Sequence, residues 1–242
     1  MKIFNLRMML ASTVLAGAVM APVSLWAAGY QKQGRCITLS LPAKPKQAKT
    51  VRLTIVSDNI IRVEATPEDA IPQKRKSLVV VNREGKYTAD VKEDDRIVTV
   101  ETAAIIAKVE KQTGKLTFID KTTGKVLLQE ADGSKTFTKY VSNQTELPEN
   151  YRPTSPDEVN WGKKTDLYKL SLEDRSGYSW HALFESDADE AFYGLGQHQS
   201  EEMNYKGRNE ELFQYNTKVA IPFVVSNKNY GILWDSYSYG RW

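Results

Sequence analysis

Few side chains in this sequence are placed for chemistry. Two histidines, His181 and His198, and one cysteine, Cys36, are the only ones of their kind in 242 residues. One cysteine excludes an intramolecular disulfide and a thiolate zinc cluster, and two histidines argue against a multi-histidine metal centre. No cofactor is called for. The densest acidic stretch is Glu185-Ser-Asp-Ala-Asp-Glu190. As a calcium loop it fails, because Phe192 stands where the sharp-turn glycine belongs. As a glycosidase pair it is poor, since neighbours on one extended turn do not face a shared bond about 5 Å apart. A solvated turn is the better reading. His181, in Trp180-His-Ala-Leu-Phe184, reads as a packed or edge histidine on a strand.

His198 lies in Gly194-Leu-Gly-Gln-His-Gln199. Two glycines let the backbone turn tightly after a strand, so that Gln197, His198 and Gln199 project from a rigid rim suited to sugar hydroxyls. An ordinary bulged turn accounts for the same residues equally well. Gly194-x-Gly196 is too short for a dinucleotide fingerprint, with Glu201 in place of a third glycine. Neither Gly114-Lys115 nor Gly124-Lys125 is a phosphate loop, because Leu116 and Val126 follow where Ser or Thr is needed. Aromatic residues concentrate from Phe192 to Trp242. They could stack on sugar faces, but for most of them a place in the core is the better reading.

The elements that carry these residues read as strands. Val51–Val56 alternates apolar and polar residues, turns through Ser57-Asp58-Asn59, and continues into Ile60–Glu64, a hairpin pattern. Short strands are expected at Ile37–Leu41, Ser77–Val81, Tyr87–Val91, Arg96–Val100 and Ala103–Val109. Residues 109–128 repeat a strand end, a Thr-Gly turn and a new strand, with Gly114 and Gly124 supplying positive φ. Tyr140–Thr165, with Pro148, Pro153 and Pro156, reads as an ordered excursion; Asn143-Gln-Thr145 is a glycosylation sequon by pattern only. Strands resume at Leu167–Leu172, Tyr178–Phe184, Ala191–Tyr193, Leu212–Tyr215, Pro222–Val225 and Tyr230–Trp234. No apolar period of 3.6 persists for three turns, so no long helix is expected. About fourteen short strands, by the spacing of turn signals, predict an all-β protein, a large antiparallel β-sandwich in one continuous domain over residues 28–242.

The first 27 residues stand apart. Lys2 and Arg7 precede an uncharged stretch, Met8–Trp26, which ends in Ala27-Ala28. These are the parts of a secretory signal peptide, with cleavage expected after Ala27 and a periplasmic or extracellular destination. An uncleaved anchor is the alternative, since the 19 residues of that stretch could just span a bilayer. With cleavage no membrane association is expected. The mature chain then carries 31 Lys+Arg against 30 Asp+Glu, a net charge of +1. Nucleic acid is excluded as a partner by that balance, because it requires a concentrated basic stripe.

Four late motifs carry a family resemblance: Glu190-Ala-Phe-Tyr-Gly-Leu-Gly196, Leu212-Phe-Gln-Tyr-Asn216, Ile221-Pro-Phe-Val-Val-Ser226 and Asn229-Tyr-Gly-Ile-Leu-Trp-Asp235. In order and spacing they resemble the N-terminal, galactose-mutarotase-like β-sandwich of glycoside hydrolase family 31, over roughly residues 37–240. That family includes α-glucosidases and α-xylosidases. The resemblance implies a sandwich ahead of a (β/α)8 barrel that bears an Asp nucleophile and an Asp acid/base, so no catalytic residue is expected in this chain. The chain stops at Trp242 straight after a strand, which reads as a truncation before that barrel.

Where many relatives have Glu after the second glycine, this chain has Gln197-His198-Gln199, a variant that resembles the xyloglucan-directed α-xylosidase branch. The family's sandwich lends a loop to the sugar pocket just before the Pro-Phe strand. By position this implies Tyr215, Asn216 and Thr217 as substrate contacts, Asn216 foremost, with Gln197 and His198 beside them. Asn216 capping a turn is the open alternative. The implied partners are the barrel and α-linked oligosaccharides such as xyloglucan fragments. Two rival functions remain in view: a free-standing carbohydrate-binding module, and an aldose epimerase, for which His181 and His198 would have to converge.

Overall fold

The computed structural model describes residues 29–71, 77, 79–80, 87–140, 177–214, 216–236 and 239–242. The expected leader, the sequon at Asn143, the strand at Leu167–Leu172, and Tyr215 lie outside the described residues. Of the strand expected at Ser77–Val81, Ser77, Val79 and Val80 are described and belong to no strand, Ser77 instead turning the chain by accepting from the Val79 and Val80 amides. Among those described there is no helix and there are seventeen strands, paired antiparallel wherever they pair. The all-β expectation holds, with more strands than the turn signals indicate, some shorter than expected and some, such as Val219–Ser226, longer.

Two sheets make a first lobe. β1 (Gln31–Gln33), β2 (Cys36–Ser40), β3 (Thr50–Ser57) and β4 (Ile60–Thr66) pair in sequence order. The other sheet runs β12 (Phe184–Glu185), β9 (Val126–Glu130), β8 (Leu116–Asp120), β7 (Ile105–Glu110), β6 (Ile97–Glu101), β5 (Asp90–Glu93). Alternation dictates the packing. Leu39, Val51, Leu53 and Ile55 from the first sheet meet Val98, Val100, Val109 and Leu116 from the second in one buried core, while the intervening Arg52, Thr54 and Thr99 face outward. Complete burial of such side chains stabilises by roughly 1.5–3 kcal/mol each.

The turns obey local chemistry. Gly114 and Gly124 both have φ +70, and the two repeats close alike: the Gly114 amide donates to Glu110 and the Gly124 amide to Asp120, each at 2.8 Å. The hairpin expected through Ser57–Asn59 joins β3 to β4. Cys36 is a free thiol, its sulfur 3.5 Å from the Thr54 hydroxyl. β10 (Thr136–Tyr140) pairs with β11 (Gly177–His181) as a two-stranded sheet at the margin of this lobe. Tyr178–Phe184, expected as one strand, is thus split between β11 and β12, and the strand expected at Tyr87–Val91 begins later, at Asp90.

A second, smaller lobe holds β13 (Phe192–Gln197), β15 (Val219–Ser226) and β16 (Tyr230–Leu233) in the order β13-β15-β16, with β14 (Glu211–Leu212) paired to β17 (Gly240–Arg241). Phe192, Leu195, Tyr205 and Val224 form its core, with Trp234 and Trp242 packed edge-on at a centroid distance of 5.3 Å. Arg62 of β4 reaches across to Asp235, guanidinium to carboxylate at 2.7 Å, and ties the two lobes together.

Candidate functional site

The second lobe is where the sequence places its candidate residues, and its geometry starts at three consecutive positive φ angles: Gly194 at 116°, Leu195 at 63° and Gly196 at 103°. The sequence reading put a tight turn here. Instead β13 continues through Gln197, and the pairing slips: Gly194 faces Val224 and Gly196 faces Ala220, so Leu195 alone stands opposite Ile221–Phe223. Pro222 falls in that irregularity, where its missing N–H costs no ladder bond, a usual place for proline in a sheet. Only glycine fits at 196, because a Cβ there would lie 2.0 Å from the Val219 carbonyl oxygen.

His198 follows directly and turns inward. Expected to project from a rim, its side chain is 1% exposed. Nε2 lies 2.7 Å from the Leu195 carbonyl oxygen, and Nδ1 lies 2.9 Å from Glu210 Oε1, a close contact without good hydrogen-bond alignment. Tyr205 packs edge-on against the ring at 6.1 Å. The same Glu210 oxygen is 2.5 Å from Lys218 Nζ, and both side chains are largely buried. Lys218 also donates to the Glu211 carbonyl at 3.3 Å.

Glu210 and Lys218 escaped sequence reasoning. Each is one charged residue in front of a strand, and only the pairing of β13 with β15 and of β14 with β17 brings them to His198. Between them runs the segment that carries Asn216 and Thr217. Both are exposed in a turn just ahead of β15, as is Gln197 at the end of β13. His198 is thereby joined through Glu210 and Lys218 to the base of the loop that bears Asn216. His181 is elsewhere, exposed on β11 and paired in register with Thr136. The two histidines do not converge, His181 lying on β11 and His198 just beyond β13, and both ring nitrogens of His198 already face acceptors, an arrangement unlike an epimerase pair.

Two further buried acids were not singled out. Most of the acidic stretch is a solvated turn as expected, with the Asp187 and Asp189 side chains 75% and 85% exposed. Glu190 is the exception. It is buried and accepts hydrogen bonds from the Ser226 and Tyr230 hydroxyls, both at 2.6 Å. Burial, and then the bond to Glu190, push the Tyr230 phenol well above its ordinary value. In the first lobe Glu130 and Lys135 form a buried ion pair. Glu130 accepts from the Leu116 amide at 2.9 Å, and Lys135 donates to the Gly114 carbonyl at 2.7 Å. Burial lowers the Lys135 ammonium from its usual range, against the pull of Glu130. This pair borders a 220 Å³ cavity that includes Pro42, Gln112 and Ser134, but it fastens a turn, and the other carboxylate at the cavity, Asp132, is solvent-exposed and paired with Lys115. Among the described residues no three His, Cys, Asp or Glu side chains are grouped to hold a metal ion.

The outward face of the second lobe is apolar. Tyr193, Val219, Ile221, Phe223, Val225 and Leu233 alternate with the core residues of their strands and are 40–49% exposed. Register places Tyr193 opposite Val225 and Phe223 opposite Leu233, so they form one surface. An exposed apolar patch of this continuity marks an interaction surface in soluble proteins.

Comparison with known proteins gives the site its context. Residues 50–242 match the model of the glycosyl hydrolase 31 N-terminal galactose mutarotase-like domain. An alpha-xylosidase of Saccharolobus solfataricus is 43% identical over 77 residues, which is 28% of this chain and 10% of that protein. An uncharacterized family 31 glucosidase of Pseudescherichia vulneris is 26% identical over 195 residues, 81% of this chain and 34% of that protein. The crystal structure of the family 31 alpha-xylosidase of Xanthomonas citri superposes with a TM-score of 0.68 at 32% identity, covering 87% of this chain and 19% of that one. The chain therefore spans about a third or less of the length of these relatives.

Proposed function

Because the chain belongs to glycosyl hydrolase family 31 through its N-terminal galactose mutarotase-like domain, we propose that it is the front part of an exported, retaining α-glycosidase. That enzyme removes terminal α-xylosyl or α-glucosyl residues from oligo- or polysaccharides such as xyloglucan fragments. In this reading residues 1–27 direct export to the periplasm or beyond, and 28–242 form the sandwich. Two carboxylates in a downstream barrel carry the double displacement, one as nucleophile and one as acid and then base, without a metal.

The sandwich itself serves in two ways. It backs the barrel, and it lends the loop of Tyr215, Asn216 and Thr217 to the sugar pocket, where the exposed amide of Asn216 can both donate to and accept from hydroxyls. The observation that carries this role is the apolar surface from Tyr193 to Leu233. A lobe that leaves one sheet face uncovered suits a domain built to rest against more protein.

An assay on aryl α-xyloside and α-glucoside tests the proposal. Residues 28–242 alone are expected to give no turnover above a blank, and the same chain continued through the barrel to give robust turnover. Turnover by 28–242 alone contradicts it. Glycan binding by that fragment without any barrel would favour a free-standing sugar-binding module instead.

A further inference from the structure

We propose that His198, Glu210 and Lys218 act together as a positioning device that sets the turn bearing Asn216 and Thr217, and that His198 reaches the sugar only through it. The inference rests on the reading that this loop contacts substrate, and it assigns the set of residues that hold it there. A side chain 1% exposed, with both ring nitrogens against protein acceptors, has no surface left for a ligand. What it touches instead is structural. One ring nitrogen faces the carbonyl of Leu195, the residue at the centre of the positive-φ run. The other faces the carboxylate that closes the loop.

Glu210 and Lys218 stand at the two ends of that loop, and their 2.5 Å contact draws the ends together. The stem is fixed from the other side too, since Glu210 and Trp242 exchange backbone hydrogen bonds at 2.9 and 3.2 Å. Asn216 and Thr217 thus lie on a stretch whose two ends meet at one carboxylate, and that carboxylate lies against His198. Charges this well buried favour one geometry, because an excursion breaks a charge-assisted contact in surroundings that solvate charge poorly. An exposed asparagine on a loop so restrained meets a sugar with less ordering left to do, which lowers KM without touching the chemical step.

The test is steady-state kinetics of the full-length enzyme on aryl α-xyloside, with thermal melts and hydrogen exchange of amides 213–217 alongside. The variants are N216A, H198Q, K218Q and the double variant H198Q/N216A. We expect N216A and H198Q each to raise KM by roughly five- to ten-fold with kcat within about two-fold. K218Q, at the opposite end of the loop, should do the same should H198Q fold poorly. The double variant should be no worse than N216A alone, because His198 acts through that residue. Exchange of amides 213–217 should quicken in H198Q and K218Q. Independent, multiplying effects in the double variant overturn the proposal, as does a lowered melting temperature with KM and loop exchange unchanged. If N216A alone leaves KM unchanged, the reading of the loop as a substrate contact fails. The exchange data then decide the positioning role separately: faster exchange in H198Q supports it and unchanged exchange contradicts it.

Discussion

The lobe built around Leu53 and Val109 and the lobe built around Val224 use the same strand chemistry and finish differently. In the first, two sheets turn their apolar faces toward each other, and fourteen buried residues form one core. In the second, one face of the three-stranded sheet covers a core of four buried residues, while the other presents Tyr193, Ile221, Phe223 and Leu233 to solvent. The strain is distributed in the opposite sense. The positive-φ glycines of the first lobe sit at hairpin turns such as Gly124, where a Cβ would meet nothing within 4 Å. Gly194 and Gly196 of the second lie inside a strand against backbone carbonyls. The first lobe holds itself together. The second leaves one sheet face exposed.

Substitutions can break that contrast at its sharpest point. Gly196→Ala forces a Cβ to within 2.0 Å of Val219 O at φ +103, and should cost about 4 kcal/mol or more. Gly124→Ala, with open space around it, should cost only about 1–2 kcal/mol. Urea unfolding of the two variants side by side measures the difference, and equal losses would dissolve the distinction between turn glycines and strand glycines. Next in size is Glu130→Gln, which leaves the Lys135 ammonium buried beside a neutral amide. A loss of about 3 kcal/mol is expected, read from the same urea curves.

The two faces can be compared directly. Leu53→Ala opens a cavity in the closed core and should cost about 3 kcal/mol. Phe223→Ala on the open face should cost under about 1 kcal/mol in residues 28–242. A large loss from Phe223→Ala would mean that the face is already covered within this chain.

The smallest effect expected is on acid sensitivity. Hydrogen bonds from the Thr123 and Thr122 amides hold the Asp120 carboxyl below its ordinary value of 3.8, and Lys111 and the Gly29 amide do the same for Glu93. With folded values lowered, these groups contribute stability in full above the unfolded pKa, and the contribution disappears as pH falls through the folded one. Asp120→Asn should therefore flatten the decline of stability below about pH 4 while leaving the shape of the curve above pH 5 unchanged. Thermal melts between pH 3 and 7 check this.

How far the sequence reveals these features depends on how local they are. The Thr-Gly hairpins at Gly114 and Gly124 and the Ser57–Asn59 turn were legible, because turn residues and alternation act over a few positions. So were the family motifs, which span short runs. That Leu195 lies inside a strand was not, although a bulged turn was one of the two readings of its surroundings. Gly-Leu-Gly has the composition of a turn, and only the pairing of β13 with β15 on either side of Leu195 keeps it within a strand. The cluster of His198, Glu210 and Lys218 was hidden for a related reason. It spans 21 residues of sequence, and each member becomes meaningful only once β13 pairs with β15 and β14 with β17. Glu190 looked like the rest of its acidic stretch until Ser226 and Tyr230 arrived from β15 and β16.

Solvent labelling of the open sheet face reaches the centre of this account. Hydroxyl-radical footprinting of Tyr193, Phe223 and Leu233 should be run on residues 28–242 and on the full-length enzyme, with Val126 of β9, an exposed residue of the first lobe, as reference. The account predicts strong labelling of the three in the fragment and protection in the full-length enzyme, with Val126 alike in both. Equal labelling of Tyr193, Phe223 and Leu233 in the two would contradict it.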